Sequence, residues 1–304
     1  MADTGTRVRR WLTAGLVVIL LISVVGPLAL HVGQKRHDVL PFSVEAAFPP
    51  DKAIVGGEVF ATTVIALMEH ELNGVTGWRP NDFVLWGPHL WADNNANRQL
   101  GVIQALRESV RVFKDHLTKV SSNEYDPNLV EADTDFRNDA ERLWLPSAES
   151  KFREGIRHLR AYVDGLKTTP PKSRPINQRN IELIRLFQAW SDLLGDAHAT
   201  LYRQPESAWK VDDDFYHAQG VAHVMNHLVR AVGREYQHEF DTKPVIRTLF
   251  DEVAAALAQA ATLKPLVVFD GRPDGIFANH RRNLDAYIAE ARQKMYSIRE
   301  ELEK

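Results

Sequence analysis

The longest apolar run in the chain extends from Trp11 to Leu30 and contains no charged residue. At about 1.5 Å of rise per residue, a helix of this length spans roughly 30 Å, the thickness of a bilayer's hydrocarbon core. A helix is also the form in which a lone segment satisfies its backbone hydrogen bonds in lipid. The pattern predicts a transmembrane helix over residues 11–30, preceded by a cytoplasmic N-terminus of residues 1–10.

Beyond residue 50, apolar positions recur at spacings of three and four, which is typical of amphipathic helices. Helices are predicted over about 57–72, 95–120, 147–166, 177–202, 212–240, 243–263 and 279–303. A short helix is predicted around Phe136, Ala140 and Leu143, after a polar stretch at 121–135 that is interpreted as a turn region. The predicted fold class is therefore all-α, with one N-terminal transmembrane helix followed by a multi-helix bundle domain.

The last predicted helix carries a heptad pattern of apolar residues that leaves two uses open. Docking of this helix onto its own bundle is the favoured interpretation, and a homo-oligomer through residues 284–302 is the alternative. The seam consists of Leu284, Ile288, Ala291, Met295, Ile298 and Leu302.

Proline-rich segments suggest the domain organisation. Residues 31–50 contain Pro41, Pro49 and Pro50 and are predicted to be a short linker. Residues 51–304 are then a periplasmic helical domain. A possible subdivision lies near 167–176, where the chain has three prolines and no large apolar residue before Ile176.

The charges that flank the apolar run predict its orientation. Arg7, Arg9 and Arg10 precede it, and Lys35 and Arg36 follow it. The positive-inside rule favours a cytoplasmic N-terminus, which for a bacterial inner-membrane protein places the C-terminal domain in the periplasm. A cleaved signal peptide is the competing interpretation, but its apolar region is usually only 7–15 residues long.

Composition limits the classes of partner. Residues 37–304 contain 32 basic and 39 acidic residues, a net charge of −7 that disfavours nucleic acid. The lipid bilayer is the predicted partner of residues 11–30, and a cell-envelope protein or glycan is the expected partner of the exported domain. The chain has no cysteine, which is compatible with an oxidising compartment.

An aromatic loop follows the first soluble helix and is a candidate binding loop. Tryptophans in a loop either fill a core or form a concave surface for a glycan or peptide, and both interpretations stay open. The candidate residues of this loop are Trp78, Asp82, Trp86, His89, Trp91 and Asp93.

His223 and His227 lie four residues apart on one predicted helix, a spacing that brings two rings onto one face as zinc ligands require. Val224 follows His223, so the HExxH pattern of zinc hydrolases is absent, and a third ligand would have to come from elsewhere, such as His89 or Asp93. Hydrogen-bonding histidines at the edge of the core are the favoured interpretation. No cofactor is predicted otherwise.

Four carboxylates lie at positions where burial or pairing would matter. Asp192 and Asp196 lie opposite the predicted core face of their helix, which favours a solvated pair. Glu71 lies in line with Val64, which leaves an inward orientation open, but reaching solvent from the last turn of its helix is the favoured interpretation. Glu235 aligns with a packed face, where a salt bridge to an arginine is expected. No nucleotide-binding or nucleophile motif is present, and no catalytic residue is predicted.

The segment Trp86–Gly101, together with the preceding residues 77–82, resembles a proteobacterial inner-membrane family that is known as a domain of unknown function. The resemblance covers most of the chain and implies one N-terminal transmembrane helix and an exported helical domain. It implies no activity, ligand or catalytic residue.

Two functions from different classes follow from these observations. The favoured one is a binding or scaffold module that the membrane anchor holds beside a cell-envelope partner. The alternative is a metal-dependent envelope hydrolase that uses His223 and His227.

Overall fold

A computed structural model describes residues 3–37, 40–74, 77–82, 93–119, 124–205, 210–265, 267–272 and 275–304 of the chain. The chain is 73% helical, with eleven α-helices and no β-strand among these residues. An isolated antiparallel bridge joins Asp270 to Asn279. The all-α prediction is confirmed.

The helices in chain order are α1 (Asp3–His37), α2 (Val44–Ala47), α3 (Glu58–Asn73), α4 (Asp93–Val112), α5 (Pro127–Phe136), α6 (Ala148–Leu166), α7 (Asn180–Tyr202), α8 (Val211–Glu235), α9 (Gln237–Asp241), α10 (Pro244–Thr262) and α11 (His280–Glu303). A π-helical turn, Phe113–Leu117, continues α4.

Helix α1 contains a stretch, Arg7–Gly26, that is long and apolar enough to cross a membrane. No part of that stretch is buried against the rest of the protein. An apolar stretch that is not buried among the described residues requires another apolar environment. This property is compatible with a single-pass anchor and with a signal sequence.

Helices α4 and α8 form the centre of the bundle and connect two groups of helices. Helix α6 packs against α3 and α5, whereas α11 packs against α7 and α10. One hydrophobic cluster contains residues of both groups, including Tyr162 before the proline-rich segment and Phe187 after it. The two groups therefore share a core.

The heptad seam of α11 is used within the chain. Its six apolar residues are at most 4% exposed and belong to the shared core. Asn279 begins the helix as predicted, because its side chain accepts a hydrogen bond from the backbone N–H of Arg282. The homo-oligomer through residues 284–302 stays a prediction, and it cannot use the apolar seam while this helix is in its own bundle.

The segment before Pro146 differs from the prediction. Helix α5 occupies part of the polar stretch, because Asp126 caps its first turn and Pro127 takes the position where no N–H is needed. Residues 138–146 do not form the predicted short helix, and Leu143 is exposed.

The two ends of the bundle are called the Asp213 end and the Glu235 end, after residues at the two ends of α8. At the Asp213 end, α4 begins beside α8, with Asn97 donating to Asp213 at 2.7 Å. Helix α11 begins there too, since Arg281 binds Asp214. At the opposite Glu235 end, α3 begins where α8 ends.

Candidate functional site

The aromatic loop is described only in part. Trp86, His89 and Trp91 lie outside the described residues. Trp78 is buried, donates its indole N–H to the carbonyl of Ala140 at 2.8 Å and packs edge-on against Phe152. Trp78 therefore fills the core, which is the first of the two interpretations of the loop. Its ring is not available to a ligand.

Asp82 and Asp93 are the other two candidate residues of the loop that the structure describes. Both lie at the Asp213 end. Asp82 forms an ion pair with Arg79, and burial raises the pKa of its carboxyl. Asp93 begins α4 and lies close to Asp213. Burial and the neighbouring carboxylates, chiefly Asp93, raise the pKa of Asp213 to about 7.

His223 and His227 are neighbours, with ring centroids 4.9 Å apart and ring planes at 72°, so that one ring packs edge-on against the other. Burial lowers the pKa of both, that of His227 to about 4, and nearby cations such as Arg98 and Arg230 lower them further. Both rings are therefore neutral at pH 7. Across the described part of the chain, no group of three or more histidine or acidic side chains is arranged to hold a metal ion.

Glu71 does not reach solvent, so the expectation for this residue is wrong. It is 5% exposed and binds the guanidinium of Arg98 at 2.8 Å. The side chain of Gln99 donates to Glu71 and to the carbonyl of Gly77, and it accepts from the N–H of Arg79. This buried network fixes the chain that leaves α3 against the start of α4.

Glu235 is buried, but its partner is not an arginine. Its carboxylate accepts hydrogen bonds from the backbone N–H groups of Gly57 at 3.0 Å, Val59 at 2.8 Å and Phe60 at 3.0 Å. The first N–H groups of a helix have no partner within the helix, so Glu235 caps α3 from the far end of α8. Burial raises the pKa of Glu235 to about 7, although the three N–H donors oppose that change.

Asp192 and Asp196 are both exposed, and Gln188 donates to Asp192. They form the solvated pair that their helical positions predict. His198, on the same helix, is partly exposed and binds Asp285 through its Nδ1 atom at 2.6 Å.

The segment that follows α1 is held against α8 by Arg234. Val44 and Phe48 are buried against this helix, next to Ala231. The guanidinium group of Arg234 donates to four backbone carbonyls, those of Phe48 (2.9 Å), Pro49 (3.0 Å), Pro50 (3.5 Å) and Lys52 (2.6 Å). A planar group with five donors can hold several carbonyls together, whereas an ammonium group is a compact point charge.

A cavity of about 240 Å³ lies between this segment and helices α8 and α10. Its apolar lining includes Val44, Phe48, Val229, Phe240, Phe250 and Ala254. Arg230, Arg234 and Arg247 also line it, with Glu45 and Asp251. A more polar recess of about 610 Å³ adjoins it and shares Arg234 and Gln237 with it.

No pattern in the sequence points directly to this cavity. Arg234 and Phe48 are 186 residues apart, and neither belongs to a recognisable motif. The available hint was the apolar pair Val44 and Phe48 in the segment after α1, because large apolar residues in a solvated linker are unusual. That spacing of four fits one buried face of a short helix.

A family model described as an uncharacterized protein conserved in bacteria, DUF2333, matches residues 5–203 and 195–304. The chain belongs to this family. The apolar α1 and the helical remainder agree with the resemblance found from the segment around Trp86. No curated protein and no solved structure matches this DUF2333 chain.

Proposed function

We propose that this DUF2333 protein is a single-pass inner-membrane protein whose periplasmic helical domain is a binding or scaffold module for a cell-envelope protein. Its docking site is the cavity between residues 44–50, α8 and α10. The observation that carries the proposal is that this cavity is shared between the segment joined to the membrane helix and the bundle. A partner bound there contacts both the tether and the domain.

The size and lining of the cavity define the chemistry of its occupant. At about 240 Å³ it is smaller than the roughly 300–1,000 Å³ of typical small-molecule sites. It suits one large apolar side chain that a partner inserts as an anchor. Arg230 and Arg247 lie at the edge of the cavity, where Arg230 pairs with Glu45 and Arg247 pairs with Asp241. Acidic residues beside the partner's inserted side chain could bind these two guanidinium groups.

The orientation in the membrane rests on the charge pattern. Three arginines precede the apolar stretch of α1, and a lysine and an arginine follow it. With the N-terminus in the cytoplasm, the positive-inside rule is satisfied and the domain lies in the periplasm. A glycan partner that stacks on Trp86 and Trp91 stays a prediction, since those residues lie outside the described part of the chain.

Cross-linking in living cells tests the proposal. A photoreactive amino acid replaces Asp251 at the cavity, and a second strain carries it at the exposed Asp192 on α7. We expect one discrete cross-linked protein from position 251 that is absent from position 192. The same products at both positions would contradict the proposed site.

Two variants of Gly233 provide a matched control, because this residue also lines the cavity. A Cβ at Gly233 would meet only the ring of Phe250, at 3.8 Å, which is ordinary contact. Gly233→Ala should therefore keep the cross-link, whereas Gly233→Leu fills the cavity and should abolish it. An undiminished cross-link in Gly233→Leu would show that the partner does not use the cavity.

A further inference from the structure

The most exposed apolar side chains of the domain lie on two loops and one helix end. Among the described residues after α1, the five most exposed large apolar residues are 59 to 95% accessible: Trp144, Leu145, Tyr202, Ile276 and Phe277. Exposed apolar residues that occur singly are ordinary, but a set of this kind in one region marks an interaction surface.

All five lie at the Asp213 end of the bundle. Tyr202 ends α7, and Arg282 at the start of α11 lies over its ring at 3.9 Å. Ile276 and Phe277 precede α11, whose first turn is bound to Asp214 through Arg281.

The Trp144 loop is connected to the same end by hydrogen bonds. Asn81 donates to the carbonyl of Arg142 and to Glu149, and Trp78 donates to the carbonyl of Ala140. Residues 77–79 are in turn bound by Gln99 near the start of α4. The loop is therefore beside the N-terminus of α4, which lies at the Asp213 end.

The segment after α1 meets α8 close to its Glu235 end. Glu45 binds Arg230, and three residues later the carbonyl of Phe48 binds Arg234. As the chain advances from Glu45 to Phe48, its contacts move along α8 from Arg230 to Arg234. Helix α1 itself contacts α4.

We propose that the Asp213 end of the domain rests on the bilayer that α1 spans, with Trp144, Leu145, Ile276 and Phe277 inserted at the boundary between headgroups and acyl chains. Tryptophan and tyrosine favour this depth because their rings are amphipathic. Exposed Arg142, Arg272 and Arg282 flank the apolar residues, where lipid phosphates can accept from their guanidinium groups. This orientation goes beyond the proposed function and turns the Glu235 end away from the membrane.

The absence of cysteine allows a direct test with the full-length chain. Leu145→Cys carries an environment-sensitive fluorophore, and the protein is reconstituted into vesicles of equal parts phosphatidylethanolamine and phosphatidylglycerol. Val245→Cys is the matched control, since Val245 is also an exposed aliphatic residue (56%) but begins α10 at the Glu235 end. Lipids with brominated acyl chains should quench the label at position 145 and leave that at position 245 unquenched.

A second pair of variants tests whether the two loops dock together. The label is placed at Ile276→Cys, with or without Leu145→Glu, a substitution at a site that is 89% exposed. The charge should weaken quenching at position 276, because one docked surface carries both loops. Equal quenching of the labels at positions 145 and 245 would overturn the proposal. So would quenching at position 276 that is the same with and without Leu145→Glu. So would a label at 145 that is shielded to the same extent in detergent, since a protein contact would then cover the loop.

Discussion

The backbone of Gly220 on α8 is in direct contact with the backbone of Arg98 on α4. A Cβ atom on Gly220 would lie 2.0 Å from the carbonyl oxygen of Arg98. One turn of α4 further on, a Cβ on Gly101 would lie equally close to the carbonyl of His217. Two glycines therefore allow the central helices to touch, which sets the separation of the two helix groups around them.

We expect Gly220→Ala to destabilise the protein by about 3 kcal/mol, because α4 and α8 must separate to admit the methyl group. Gly233→Ala on the same helix is the control. It should be neutral or stabilising by up to about 1 kcal/mol, the gain in helix propensity. Urea unfolding of both variants in detergent measures the difference. Equal stability of the two variants would contradict this close contact.

Glu235 makes stability depend on pH. Burial raises its pKa from 4.5 to about 7 in the folded protein, so the folded state keeps the proton to higher pH than the unfolded chain. The contribution of Glu235 to the free energy of unfolding is therefore fully present below about pH 4.5. It decreases as the pH rises toward 7, by at most about 3 kcal/mol.

Comparison with Glu235→Gln isolates this dependence. The stability of the wild type relative to the variant should decrease as pH rises from 4.5 to 7, as measured by denaturant unfolding at each pH. Glu300→Gln, at an exposed position on α11, should follow the wild type at every pH. A relative stability that increases with pH would show instead that the three N–H donors hold the carboxylate ionised.

Trp78 and Trp144 provide a contrast between a core and a surface tryptophan. Trp78→Ala should cost about 3–5 kcal/mol, because it leaves a cavity beside Phe152 and an unpaired carbonyl at Ala140. Trp144→Ala, at a site that is 77% exposed, should change the unfolding free energy by less than about 0.5 kcal/mol. Thermal and urea unfolding in detergent give both values, and a small effect at Trp78 would argue against its burial.

Arg234 should control the order of the segment after α1. In Arg234→Ala four backbone carbonyls lose their donor, and we expect faster amide hydrogen exchange over residues 44–56 with little change in α10. Arg157→Ala serves as the control, since Arg157 is 71% exposed and makes one long ion pair with Glu154. Unchanged exchange in Arg234→Ala would show that other contacts hold the segment.

Local patterns predicted the helices whose apolar face is continuous. In α11, the heptad from Leu284 to Leu302 identified both the helix and its buried face, because each position is repeated within the same element. Ser147 likewise marked the start of α6, where its side chain accepts from the N–H of Ser150.

Features that depend on distant residues could not be predicted. Asp133 and Asp135 made the α5 segment look solvated, yet both are buried because Lys114 and Lys151 from other helices neutralise them. Glu235 was recognised as inward-facing, but its partners lie 175 or more residues away and are backbone groups, which leave no trace in side-chain patterns.

The central claim is that α1 stays in the inner membrane and places the helical domain in the periplasm. Single cysteines at Thr4 and Lys304 in this cysteine-free chain test it with a membrane-impermeant maleimide, applied to cells whose outer membrane has been permeabilised. We expect the probe to label the protein at position 304 and not at position 4, and the protein to stay in the membrane fraction after carbonate extraction. A residue 304 that reacts only after cell lysis, or a soluble domain cleaved near residue 30, would contradict it.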